Sequence, residues 1–322
     1  MVSSKTPRVR RLQQTFYRRC FLISSIWVPN YKIENYMSLR PEIAPFDRLA
    51  EEFDAYYNTV RGHVREEITR YGLSDHLRPD EYTGLQVLDI GGGSGRDAVW
   101  LAEKGHAVRL IDPSPQMIAM AKRRAVEAGY KHKTEITKMI TAECGEPSAV
   151  IGHDRTEYDV VLSHGVMQYV QDPVDHLRLL HDEVHPGDEE RAPGIVSILT
   201  KGKAGAMQRL RRLGMNDEAE RLHETGRVVN NLGEDVLAVD ETTMRDMLAQ
   251  AGLHLIELRG VRVQSDEDYR TLAEVAPAQL RAIIAAEIRN SIDPKVKHLG
   301  QMVHYICRRS DSKKQEGTKD EV

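Results

Sequence analysis

Residues 87–95 read VLDIGGGSG, and RDAVWLAEKG (96–105) follows with helical spacing. An apolar run therefore enters a cluster of four glycines and leaves as a helix. A strand that turns sharply into a helix needs backbone conformations at positive φ, and a ligand needs room to approach the main chain. Glycine supplies both. The helix beyond offers N–H groups that have no partner within the helix. In open α/β sheets, ligands bind beyond the carboxyl ends of the strands, where the strand order reverses. The turn is thus predicted to floor a ligand site.

Outward from this turn the chain alternates between strand and helix patterns. LQVLDI (85–90), HAVRLID (106–112), TEITKMI (134–140), YDVVLSHG (158–165) and GIVSILT (194–200) read as strands. Between them, 95–104, 113–129 and 172–187 read as amphipathic helices, and 46–71 reads as a helix before the first strand. Strands alternating with crossover helices indicate an α/β fold, a doubly wound and mostly parallel sheet. Residues 201–235 are polar and mainly helical, 241–252 is a helix, 253–263 a strand, the region near 266–290 helical, and 298–309 a last strand. The two late strands are expected to complete the sheet, with 201–235 and 264–297 covering its ligand end.

The glycine spacing narrows the ligand. A dinucleotide fingerprint G-x-G-x-x-G would need glycine at 96, where Arg96 stands, and no Lys-Ser/Thr pair follows to make a P-loop. The pattern present is Asp89-x-Gly91-Gly92-Gly93-x-Gly95, with Asp112 at the end of the second strand. A carboxylate there accepts hydrogen bonds from both hydroxyls of a ribose. This combination suits S-adenosylmethionine. Thr141-Ala142-Glu143, placed after the third strand, would read an adenine edge, and SHGVMQYVQDP (163–173) follows the fourth.

Charge is unevenly spread over the 322 residues, of which 40% are apolar and 29% charged. Residues 1–40 carry eight Lys/Arg and one Glu, or +7. The whole chain is −4, which leaves −11 on residues 41–322. The basic arm is either a contact for nucleic acid or an anionic surface, or not part of the working protein, with Met37 as the start. Residues 310–322 read as a disordered tail. Three distant cysteines, Cys20, Cys144 and Cys307, fit neither a disulfide framework nor a zinc site, which suggests a reducing cytoplasm and no metal. No apolar run is long enough to cross a bilayer, so no membrane partner is expected.

Together these motifs resemble the class I S-adenosylmethionine-dependent methyltransferases. The resemblance implies the Rossmann-like methyltransferase fold, with an antiparallel last strand and a helical insertion at about 201–240 in a domain spanning 41–309. Pro45-Phe46-Asp47, Ala50-Glu51-x-Phe53, Arg61-Gly62-x-x-Arg65, MQYVQDP (167–173), GVRV (260–263) and HLGQMVHYICRR (298–309) resemble the bacterial tRNA 5-carboxymethoxyuridine methyltransferases. In that family the positions matching Arg65, Gly91, Gly92, Asp112, Ala142, Glu143 and His164 bind the cofactor, and Gly93 completes the loop. The chain departs from the family at Glu143, where glutamine is usual, and at Gln301, which replaces an arginine. The implied reaction esterifies a carboxyl group on a modified wobble uridine of tRNA. The alternatives are a small-molecule O- or N-methyltransferase and a cofactor-holding scaffold. No dedicated catalytic base stands out. His164 is a candidate, with cofactor contact and packing as its other roles. Tyr169 and Arg262 are candidate substrate contacts. Arg209, Arg211 and Arg212 with Lys201 and Lys203 form either a patch for RNA or a solvated helix face.

Overall fold

A computed structural model describes residues 44–77, 84–132, 135–151, 157–189, 191–230 and 233–310. The basic arm (1–40) and residues 311–322 of the tail lie outside the described residues. Seven strands form one sheet: β1 (Gln86–Ile90), β2 (Ala107–Asp112), β3 (Ile140–Cys144), β4 (Val160–His164), β5 (Ile195–Lys201), β8 (Leu253–Val261) and β9 (Met302–Arg309). Their order is β3-β2-β1-β4-β5-β9-β8. The first five are parallel, and β9 runs antiparallel to both β5 and β8. The order reverses between β1 and β4, so the glycine turn after β1 lies at the switch point. Because β8 runs the same way as β5, the residues just after Val261 also reach this edge.

Successive side chains of a strand face opposite sides, and here both sides are buried. Leu88 and Ile90 of β1, Val161 of β4 and Val196 and Ile198 of β5 form one core with Leu177, Leu180, Met244 and Leu248. Val87, Val160, Leu162 and Ile195 form the other with Leu73, Ala98, Leu101 and Ile118. The helices supplying these partners are α3 (Val60–Ser74), α4 (Arg96–Ala102), α5 (Pro115–His132), α8 (Pro173–Glu183) and α11 (Glu241–Gln250).

The predicted helix at 46–71 is three pieces: α1 (Ala44–Arg48), α2 (Ala50–Tyr56) and α3. The break before α3 has a clear cause. Thr59 is extended and caps α3, its hydroxyl accepting from Gly62 N at 3.2 Å. It also forms a β-bridge with Thr271. The third strand differs too. Residues 136–139 form a short helix, α6, because Ile136 packs into a cluster with Val99, Ala102, Ala125 and Ala128. The strand is displaced to 140–144, so residues 141–143 lie inside β3 and not after it.

Two units cover the ligand edge. Residues 201–240 hold α9 (Lys203–Arg212), α10 (Asn216–Thr225) and a hairpin of β6 (Arg227–Val229) with β7 (Asp235–Leu237). The hairpin was not expected from the polar sequence; its turn is closed by Gly233 N donating to Asn230 O at 3.1 Å. A small apolar core of its own, including Leu210, Leu222, Val228 and Val236, holds this unit together. The second cover is α12 (Pro277–Ile292), which packs on α3 through Val64, Ile68, Leu280 and Ile284.

Candidate active site

A cavity of about 940 Å³ opens at the switch point, lined by the glycine turn, the roof helices α1–α3 and the ends of β4, β5 and β8. At its floor Gly91 and Gly93 sit at φ 67° and 54°. A Cβ on Gly91 would strike the side chain of Val166, so both conformation and space require glycine there. Asp112 stands across from the turn. Its Oδ2 accepts from Gly93 N and its Oδ1 from Ser114 N, both at 2.9 Å. Burial raises this carboxyl to a pKa of about 6. Asp89 is more deeply buried. Its Oδ2 has no hydrogen-bond partner, and burial holds its pKa well above the usual carboxylate range. An orphaned acceptor at a cavity wall awaits a donor.

The roof is fastened to this floor by ion pairs. Glu66 of α3 holds Arg96 Nε at 2.8 Å, and Asp54 of α2 accepts from Ser94 Oγ at 2.9 Å and Arg124 NH2 at 2.5 Å. Asp47 of α1 accepts from Ser114 Oγ and Gln116 N at the start of α5. Arg65 is thereby set over the floor. Its guanidinium lies 5.5 Å from the Tyr57 ring centre, near Gly165, and makes no ion pair among the described residues. The donor set therefore fits S-adenosylmethionine: Asp112 for the ribose hydroxyls, Arg65 for the carboxylate, Asp89 for the ammonium.

Gly91, Gly92, Gly93, Arg65, Asp112, His164, Tyr169 and Arg262 all line the cavity. Ala142 and Glu143 do not. With the strand displaced, Glu143 points away and pairs with Arg109 at 2.7 Å, while Glu146, Pro147 and Ser148 occupy the wall expected for it. His164 is fully engaged: Nδ1 bonds Asp97 Oδ2 and Nε2 bonds Ser197 Oγ, both at 2.9 Å. Ser197 Oγ also bonds His304 Nε2 at 2.7 Å. Asp97, held by His164 and Arg70 and despite its burial, is kept well below the usual carboxylate range; burial keeps His304 well below the usual histidine range. One proton arrangement gives each of these three bonds a donor and an acceptor. His304 Nε2–H donates to Ser197, Ser197 to His164 Nε2, and His164 Nδ1–H to Asp97. No ring nitrogen of His164 is left to act as a base. Tyr169 packs edge-on against Phe46 at 4.9 Å, and its hydroxyl accepts from Asn230 Nδ2 at 3.1 Å.

The other end of the cavity is cationic, which spacing alone did not reveal. Arg61, Lys201, Arg209 and Arg262 converge on one acid, Asp266. Asp266 lies 3.3 Å from Arg61 NH2, 3.2 Å from Arg209 Nε and 3.3 Å from Arg262 NH1. The Arg209 contact lacks hydrogen-bond alignment, and the Nε groups of Arg61, Arg209 and Arg262 are buried without an acceptor. The Lys201 ammonium has no ion pair among the described residues, and burial with Arg262 nearby lowers its pKa to about 8. Arg262 is the one non-glycine residue at positive φ among those described, 57°, a strained conformation that turns it off the end of β8. Its NH1 donates to Tyr56 Oη at 2.8 Å. Gln301 lines the same end, but its amide donates to Gly205 O at 2.6 Å. Of the expected basic patch, Arg209 and Lys201 line the cavity, and Arg211, Arg212 and Lys203 do not. The signal that was available is topological: Lys201 closes β5 and Arg262 follows β8, at the ligand edge.

Residues 88–187 match the methyltransferase-domain family. The chain is 29% identical over 269 residues to the tRNA 5-carboxymethoxyuridine methyltransferase of Escherichia coli O157:H7, covering 83% of this chain and 97% of that one. It is 31% identical over 166 residues to the ubiquinone biosynthesis O-methyltransferase of Methylocella silvestris, covering 47% of this chain and 61% of that one. Among solved structures, the methyltransferase complexed with the Haloferax volcanii activator Trm112 matches with TM-score 0.51 at 16% identity, over 85% of this chain and 98% of that one. The Streptomyces caelestis methyltransferase CcbJ matches with TM-score 0.51 at 14% identity, over 84% and 100%. The described residues include no group of His, Cys, Asp or Glu arranged to hold a metal.

Proposed function

We propose that this class I S-adenosylmethionine-dependent methyltransferase esterifies a carboxylate carried on a modified uridine of tRNA. The observation that carries the proposal is the cationic end of the cavity: four basic side chains around one acid, with three buried Nε–H groups lacking an acceptor. Such a cluster is costly unless an anion completes it. Similarity to the E. coli tRNA 5-carboxymethoxyuridine methyltransferase over nearly that protein's whole length supports tRNA as the carrier. The likeness to a ubiquinone biosynthesis O-methyltransferase stops at about half of this chain.

When bound, the cofactor supplies an electrophilic methyl group on a sulfonium. Asp112, Arg65 and Asp89 would hold its ribose, carboxylate and ammonium. A carboxylate acceptor is already ionised near neutral pH and needs no general base, which accords with His164 having both nitrogens committed. What remains for the chain is orientation and exclusion of water. Arg61, Arg209 and Arg262 would hold the acceptor carboxylate at this end of the cavity. Asp266 offsets part of the positive charge, so the grip does not fully draw electron density from the attacking oxygen.

The test uses methyl-labelled S-adenosylmethionine with bacterial tRNA beside an RNA-free metabolite extract. Label in tRNA that mild alkali releases is expected, since alkali cleaves a methyl ester. Alkali-stable label, or label confined to the metabolite fraction, would overturn the proposal.

A further inference from the structure

Tyr269 is an exposed aromatic residue at the rim of the cationic end, and two arginines of that end hold it there. Arg61, which lines the cavity, lies 4.5 Å from the centre of its ring. Arg209, also in the wall, donates to its hydroxyl from NH2 at 3.0 Å. The backbone on either side is fixed as well. Arg61 N donates to Asp268 O at 3.3 Å, Val60 N to Arg270 O at 2.9 Å, and Leu272 N to Asn58 O at 2.8 Å. The loop carrying Tyr269 is thus pinned to the start of α3. Yet 55% of the residue is exposed. With one ring face and the hydroxyl taken, the opposite face is left to solvent.

We propose that this open face of Tyr269 is a stacking platform for the planar ring that bears the acceptor carboxylate, the pyrimidine of a modified nucleoside. The inference rests on the acid-acceptor function above and names the residue that would read the ring. The same two arginines serve both jobs. Their cavity sides meet the acid, and their outer sides hold the tyrosine. An acid joined to a ring by a short linker can therefore place its carboxylate inside while the ring lies across Tyr269. Aromatic faces accept any base by stacking, and a cation behind the ring fixes its plane without covering the free side. A ring held rigidly loses little freedom on binding.

Two measurements decide this. In steady-state methylation of tRNA carrying a carboxylated uridine, Tyr269→Ala is expected to raise KM roughly 10- to 100-fold, with kcat within about threefold. Tyr269→Phe keeps the ring and should stay within about threefold of the native KM. An unchanged KM in Tyr269→Ala, or equal losses in both variants, would overturn the proposal. The second measurement does not depend on turnover. Tyr269→Trp is titrated with phenoxyacetate, a ring on an oxyacetate linker, and with methoxyacetate, which lacks the ring. The native chain, with Trp27 and Trp100, is the blank. Quenching by phenoxyacetate alone supports stacking; equal response, or none, refutes it. If the native protein methylates no carboxylated tRNA, the acid-acceptor function falls, while the fluorescence titration still decides the platform.

Discussion

The two ends of the cavity are built on opposite plans. The floor of the cofactor end is local: Asp89, the glycines at 91–93, Asp112 and Ser114 fall within 26 residues, and their contacts run largely through backbone N–H groups. The acceptor end is assembled from distant segments. Arg61 and Asp266 meet across a separation of 205 residues, and the cations reach the acid through their side chains. A backbone-built site accepts few changes, whereas a side-chain-built site is altered by single substitutions without disturbing the fold. On the proposed function, one end would keep the S-adenosylmethionine chemistry while the other sets the acceptor.

The sharpest way to break this division is Asp112→Ala. It removes the ribose acceptor and leaves Gly93 N and Ser114 N without their bonds. Cofactor affinity is expected to weaken about 100-fold, since bonds to a charged group contribute about 1.5–3 kcal/mol each. Acceptor KM at saturating cofactor should change less than threefold. Calorimetry and kinetics together would expose a shift in both parameters, which would mean that the two ends are not separable. The converse is Lys201→Met. It keeps the buried stem and deletes the ammonium, so KM for an acid acceptor should rise about 10- to 100-fold. Equilibrium binding of the cofactor should stay within about twofold.

The division extends to pH, with opposite signs at the two ends. Asp112 has its pKa raised to about 6, and ribose hydroxyls favour its ionised form. Cofactor affinity should therefore fall as pH drops below about 6, by up to tenfold per unit, with proton release on binding. Lys201 has its pKa lowered to about 8, and an anion favours its charged form. Acceptor affinity should fall as pH rises above about 8, with proton uptake on binding. Calorimetry in buffers of different ionisation enthalpy reads both. Proton exchange of the same sign for the two ligands would contradict the assignments.

This contrast also explains what could be read from sequence. The glycine turn and Asp112 were legible because their backbone geometry restricts which residues fit, and they lie close together. The positions of β1, β2, β4 and β5 and of both late strands followed from hydrophobic pattern. Ala142 and Glu143 were misplaced because Ile136 is drawn into a helix contact, which moves β3 along the chain. The acceptor end left no spacing to find. Residues 41–322 carry −11 overall, yet Arg61, Lys201, Arg209 and Arg262 gather at one point inside. Net charge says little about a site whose cations converge only after folding.

The smallest expected effect concerns the link between the ends. Asp97 stands just past the glycine turn, His304 lies on β9, and His164 with Ser197 joins them beneath the cavity. Ser197→Ala would leave the Nε2 atoms of both histidines without a partner, at a cost of about 1–3 kcal/mol. Melting temperature should drop by a few degrees, while kcat and its pH profile stay within about threefold. This separates two roles for His164. If its ring accepted a proton from the substrate, loss of Ser197 would free Nε2 and reshape the pH profile. If the ring only braces the floor, the variant melts earlier and reacts as before. The committed nitrogens favour the second, as does a carboxylate acceptor that brings its own charge.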